Sequence, residues 1–266
     1  MSALDSRSPA SSTRVFGILL LRDLHVARRE LPYFLVRTTL QPLLFVIVFG
    51  TLLPKMGFVS RGYTAALLPG ILGISLAFSS LQAVALPMMA DFGFTKEIED
   101  RLLAPVPDYV IALEKVISGG LQGLLAAIFV LPIARLIMGP IPGLALGHPI
   151  EVVTIIALGA TGFSALGLFL GTAIQGQQIG LMFSVIVAPM IMFGCAYYPW
   201  SGLNAVPLLK YAVLVNPLVY VSEGLRAALT PTLPHMPVPA VLLALAVLTG
   251  AFWAVGLKTF RKRSFS

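Results

Sequence analysis

A chain of 266 residues that is 58% hydrophobic and 11% charged, with a mean hydropathy of +0.93, is not an ordinary soluble domain, in which roughly a quarter of residues are charged. The net charge of +7 needs no nucleic-acid partner, because basic residues at the ends of membrane spans and beside anionic lipid account for it. One cysteine, Cys195, excludes an internal disulfide.

In chain order, residues 1–13 are rich in Ser and Pro and read as a disordered tail, followed by a single membrane domain over 14–266. No secretory signal is evident, since the apolar run "FGILLL" meets charge rather than a small-residue cleavage site. The stretch from Arg14 to Leu31 places Leu20, Leu24, Ala27 and Leu31 on one helical face, with Arg22, Arg28 and Arg29 mainly elsewhere. That pattern predicts a basic amphipathic helix on the inner membrane surface; the alternative is that it begins the first span early. Six apolar blocks follow, each about the length that crosses a hydrocarbon core as a helix: Leu31–Leu53, Thr64–Met89, Tyr109–Leu131, Ile150–Ile174, Ile179–Tyr198 and Val238–Leu257. With six spans, eleven Lys and Arg residues fall on the side of the termini and five on the other, so both termini are expected in the cytoplasm. The expected fold class is therefore an all-α integral membrane protein with six transmembrane helices. Gly119/Gly123, Gly167/Gly171 and Gly176/Gly180 carry the small-residue spacing of close helix contacts.

Charge is concentrated between the second and third blocks. Residues Asp91–Val110 hold five of the eleven acids. From Lys96 a short helix is expected to run to Ala104, where Pro105 ends it. On it Glu97 pairs by spacing with Arg101, and Lys96 with Asp100, while Phe94, Ile98 and Leu102 form an apolar stripe. Such a helix either rests its stripe on the inner ends of the spans or docks a soluble partner. The inner turn Gln175–Gln178 is short and uncharged. Between the last two blocks, Asn216 suits an N-cap and Pro217 the first helical position. The short amphipathic helix they open, Pro217–Leu229, puts Leu218, Val221, Leu225 and Leu229 on one stripe and lets Glu223 pair with Arg226.

Enzyme chemistry is not visible. His25, His148 and His235 lie far apart with no ligand spacing, so no metal site is expected. No nucleophile elbow or HExxH occurs, and the spans carry no proton relay at mid-depth.

Two segments resemble permeases of the type-2 ATP-binding-cassette exporters, a family with drug, nodulation-factor and polysaccharide exporters among its members. "KEIEDRLLAPVPDYVIALEKVI" is similar to the family's acidic run, "LxxLLxxPV" and "GK", although Glu114 stands in place of the usual glycine and the usual "GT" is missing. "NPLVYVSEGLRAAL" is similar to "NPLTYxxxALR" through Asn216, Pro217, Leu218, Tyr220, Leu225 and Arg226. The resemblance implies a permease subunit in the cytoplasmic membrane of a prokaryote, paired with a second copy or a paralogous permease and with two ATPase subunits. Carried over, Lys96, Glu97, Ile98, Glu99, Asp100, Arg101, Leu102 and Leu103 form the coupling helix that fits a groove on the ATPase. Gln175, Gln177 and Gln178 form a second contact, and Asn216, Pro217, Tyr220, Glu223 and Arg226 belong to an outer re-entrant helix. ATP and magnesium would sit on the partner, leaving no cofactor on this chain. Rival readings are an ATPase-independent secondary transporter or channel, and a purely structural subunit of a membrane complex.

Overall fold

The computed structural model describes residues 17, 20, 21, 25, 36, 40, 42–59, 62–95, 107–141, 143–145 and 147–264, and every element among them is helical. In chain order the helices are α1, Pro42–Lys55; α2, Tyr63–Ala90; α3, Asp108–Met138; α4, Pro149–Ala173; α5, Gly176–Met192; α6, Pro207–Ala212; α7, Pro217–Leu229; and α8, Val238–Ser264. The tail, the Arg14–Leu31 surface helix and the Lys96–Leu103 helix fall wholly or mostly outside the described residues.

The expected spans over Thr64–Met89, Tyr109–Leu131, Ile150–Ile174 and Val238–Leu257 correspond to α2, α3, α4 and α8. Among the described residues these four are long and apolar enough to cross a membrane. A fifth crossing is counted if Pro207–Val215 and Pro217–Leu229, bent by 99°, form one broken span. Two of the expected blocks are shorter as helices. Of Leu31–Leu53, α1 covers the part from Pro42, and it contains a π-helical turn at Val46–Leu52. Of Ile179–Tyr198, helix persists only to Met192. There Cys195 takes a positive φ of 53° and residues 194–198 form bends, so the last residues of the block serve a corner instead of continuing the helix. At the other extreme, α3 and α8 outrun their blocks by several residues, to Met138 and Ser264.

The helix α2 is the centre of the bundle: 94% of its most apolar stretch is buried, against 17% for α8. In lipid no hydrophobic force draws one apolar helix to another, so close packing must hold them. Glycine supplies it here. A Cβ on Gly167 of α4 would lie 2.5 Å from the Leu81 carbonyl oxygen of α2, and one on Gly123 of α3 would lie 1.8 Å from Ser80 Oγ. Gly119 and Gly171 meet α2 in the same way. The third glycine pair behaves otherwise. A Cβ on Gly180 would meet nothing within 4 Å, because α5 lies at the bundle edge with Leu181 and Val185 beside it turned outward. Within this chain, the expected close contact is not formed at Gly180.

Pro69 and Pro87 lie inside α2 and Pro132 inside α3. Neighbouring helices make such breaks in the hydrogen-bond ladder tolerable.

Candidate functional site

The chain presents two polar assemblies at opposite ends of α2, one around α7 and one where α2, α4 and α8 finish.

Asn216 opens α7 as its N-cap, accepting from the Leu218 amide at 3.0 Å. Its Nδ2 donates to the Met190 carbonyl at 2.7 Å, which fixes the helix start to the end of α5. Pro217 occupies the first turn, where its missing N–H costs nothing. The Tyr220 hydroxyl donates to the Leu214 carbonyl at 2.7 Å and holds the bend between α6 and α7. From there α7 runs antiparallel to α2, with Leu218 against Gly73 and Arg226 against Ala66. Those two α2 positions are about 10 Å apart along the axis. On its other sides Val221 packs on Gly159 of α4, and Gly224 on Ile155 of α4 and Val241 of α8.

The expected stripe of Leu218, Val221, Leu225 and Leu229 is buried, and so is the opposite face. The helix α7, amphipathic by sequence and expected at the outer face as a re-entrant element, is enclosed by three long helices. Glu223 and Arg226, spaced to pair, form an ion pair through Glu223 Oε1 and Arg226 Nη1, and both side chains are essentially inaccessible. Glu223 also accepts from the Trp200 amide at 2.8 Å and from the Met236 amide at 2.9 Å. Arg226 Nη2 donates to the carbonyls of Cys195 at 2.9 Å and Ala66 at 3.2 Å. A buried charge is tolerable only when paired and hydrogen-bonded, and here backbone groups at Ala66, Cys195, Trp200 and Met236 bond the pair, leaving Arg226 Nε without a partner among the described residues. Glycine again allows the approach: a Cβ on Gly70 would lie 1.9 Å from the Ala196 carbonyl oxygen. The Tyr63 hydroxyl adds a bond to the Tyr197 carbonyl at 2.7 Å. The i,i+3 spacing disclosed the pair, whereas nothing in the local sequence disclosed its backbone partners.

At the other end, Gln175 and Gln177 line a cleft of about 220 Å³ with Gly93, Gly176 and Arg263. Gln178 ends the same 3₁₀ turn without lining the cleft. Gly93 stands three residues before Lys96, so the turn after α4 and the chain that leads into the acidic segment are neighbours. On α3, Glu114 and Lys115 are buried and form a 3.6 Å ion pair. The sequence reading missed Arg263, Arg261 and Asp108. Arg263 Nη1 donates to the carbonyls of Thr172 at 2.9 Å, Ile174 at 3.0 Å and Gly171 at 3.3 Å. Arg261 grips Asp108 with two bonds, Nε to Oδ2 at 2.6 Å and Nη2 to Oδ1 at 3.2 Å. A run of basic residues at a helix end was the only available signal.

A bundle of long apolar helices around one buried helix, with a charged pair sealed inside, defines a multi-pass membrane protein. The chain belongs to the ABC-2 type transporter family, which matches residues 14–230, and it is thereby the membrane permease subunit of an ABC transporter. It is similar to the inner membrane transport permease YadH of Escherichia coli strain K12, with 27% identity over 217 residues, 77% of this chain and 78% of the relative. The proteins of the same name from Escherichia coli O157:H7 and Shigella flexneri match to the same extent. Membership implies an ABC ATPase partner and a transporter subunit that is not itself an enzyme.

Proposed function

We propose that this chain is the permease of an ATP-driven exporter in a prokaryotic cytoplasmic membrane, moving an amphipathic drug, lipid or glycan-type cargo outward. Its membrane part has six spans, with α1 and α5 belonging to the first and fifth, both termini in the cytoplasm and a basic surface helix over Arg14–Leu31. It works with a second copy or a paralogous permease, and ATP with its magnesium is bound and hydrolysed on separate ATPase subunits. The related inner membrane transport permeases support the location, and the apolar surface of the bundle suits surrounding lipid.

One observation carries the reading within this family: the Gln175–Gln178 turn and Gly93, which precedes the acidic segment, share a single cleft. A motor protein docked on one face would reach both. Lys96–Leu103 then act as the coupling helix, whose charged residues face the ATPase groove and whose Ile98 and Leu102 anchor it. ATP closes the two ATPases and moves the coupling helices, and the spans open a path outward at the subunit interface. The ATPase must bind the two end states with different affinity, since equal binding shifts no equilibrium.

Reversal of Glu97, Glu99 and Asp100 to Lys tests this. The variant is expected to insert and fold as the parent does, and to lose co-purification with the ATPase. An intact complex with undiminished permease-stimulated ATP hydrolysis rejects the docking role. A purified permease that drives a solute uphill in liposomes without any ATPase would overturn the exporter reading itself.

A further inference from the structure

The final turns of α8 touch Phe92 after α2, the start of α3 and the end of α4, which flank the proposed ATPase contacts. Residues Lys258–Arg263 lie beyond the apolar block Val238–Leu257, yet they remain helical, and the side chains of Thr259, Phe260, Arg261 and Arg263 make three attachments.

The first is at the entrance to the acidic segment. The Phe260 ring meets Phe92 edge-on at a centroid distance of 6.0 Å, and the Arg263 guanidinium lies 5.0 Å above the same Phe92 ring. The second is at its exit, where Arg261 holds the Asp108 carboxylate by both oxygens. Asp108 is the first residue of α3. The third is the C-terminus of α4, whose last carbonyls have no intrahelical donors. Arg263 supplies these donors from a different helix, a favourable place for a cation at the negative end of a helix dipole. Thr259 adds a 2.7 Å bond to Thr172 one turn earlier. The Gln175–Gln178 turn begins immediately beyond.

We infer that Arg261 and Arg263 are positioning residues for energy coupling: the end of α8 holds both ends of the acidic segment and the start of the Gln175–Gln178 turn as one platform against the ATPase. The inference rests on the proposed ATPase docking and adds the residues that set the relative placement of its contacts. Bidentate Arg–carboxylate geometry fixes direction as well as distance, which a lysine at 261 would not reproduce. A displacement delivered at one contact is passed to the other through α8 and not dissipated in the segment between.

Two measurements test it. Cys195→Ala leaves no native cysteine, so spin labels at Gly93→Cys and Gln177→Cys report the platform alone, in liposomes and without ATPase. One short, narrow distance distribution is expected, and Arg263→Gln is expected to add a longer population. A distribution indifferent to Arg263→Gln overturns the inference. In the complex with the ATPase, Arg261→Asp and Asp108→Arg are each expected to lower permease-stimulated ATP hydrolysis about fivefold or more, with the amount of bound ATPase and the unfolding temperature unchanged. The double exchange Asp108→Arg with Arg261→Asp is expected to restore most of that loss. Failure of the exchange to restore anything also overturns the inference. If the unmutated chain binds no ATPase, the docking proposal fails instead, and the spin-label result still decides whether the platform exists.

Discussion

Replacing Arg226 by Met keeps most of the side-chain volume and removes the charge. In the structure this leaves Glu223 buried with two backbone donors, the amides of Trp200 and Met236, but no countercharge. It also strips donors from the carbonyls of Cys195 and Ala66. Removing one member of a buried pair typically costs about 3–5 kcal/mol. Both side chains here are almost fully enclosed, so solvent cannot take over, and the upper part of that range applies. At about 4 kcal/mol the unfolding equilibrium moves roughly a thousandfold. Unfolding in mixed micelles by increasing sodium dodecyl sulfate reads this directly. Trp200 is a suitable fluorescent reporter, since its indole donates to the Lys210 carbonyl at 2.9 Å beside the network. The paired change Glu223→Met with Arg226→Met should recover most of the loss, because hydrophobic replacement of a whole buried pair is often nearly neutral. A single-variant cost under about 1 kcal/mol, the range of exposed pairs, would refute the claim that the pair is sealed from solvent. A double variant as unstable as the single one would refute the claim that the uncompensated charge is the cause.

Three further outcomes are expected. Gly70→Val should sharply reduce the yield of folded protein, since its first side-chain atom would collide with the Ala196 backbone, whereas Gly62→Ala, with nothing within 4 Å, should behave as the parent; size-exclusion profiles of the two compare them. Asn216→Ala should cost about 1 kcal/mol from the lost cap and somewhat more from the lost tie to Met190, read in the same micelle titration, and a neutral result would mean that the cap is made by water. Cys195, fully buried, should resist maleimide in the folded protein, label on denaturation, and label measurably faster in Arg226→Met, where the turn around it loses its anchor.

The long helices were legible because their signal is composition: twenty apolar residues in lipid have few alternatives to helix. Ends were less legible, because they are decided by distant partners. Lys258 to Arg263 look like a tail until Asp108 and the α4 carbonyls come within reach of Arg261 and Arg263, and then the helix is worth continuing. The block Ile179–Tyr198 reads as a span, yet its final residues bend where Ala196 meets Gly70. Around α7, the spacing of Glu223 and Arg226 was visible as a local pattern. Its enclosure was not, since Ala66 and Met236 are remote in sequence. Gly119 and Gly167 carried their packing role in their spacing, while Gly180 has the same spacing and no neighbour. Spacing reveals what a helix can offer, and topology decides what accepts it.

The sealed pair on α7 also sets an order of events during synthesis. Its acceptors at Ala66 and Cys195 and its donor at Trp200 leave the ribosome before Glu223 does, but the Met236 amide follows later. Glu223 gains its last backbone donor only when Met236, two residues before α8, has been made, so the pair is completed as the final helix begins.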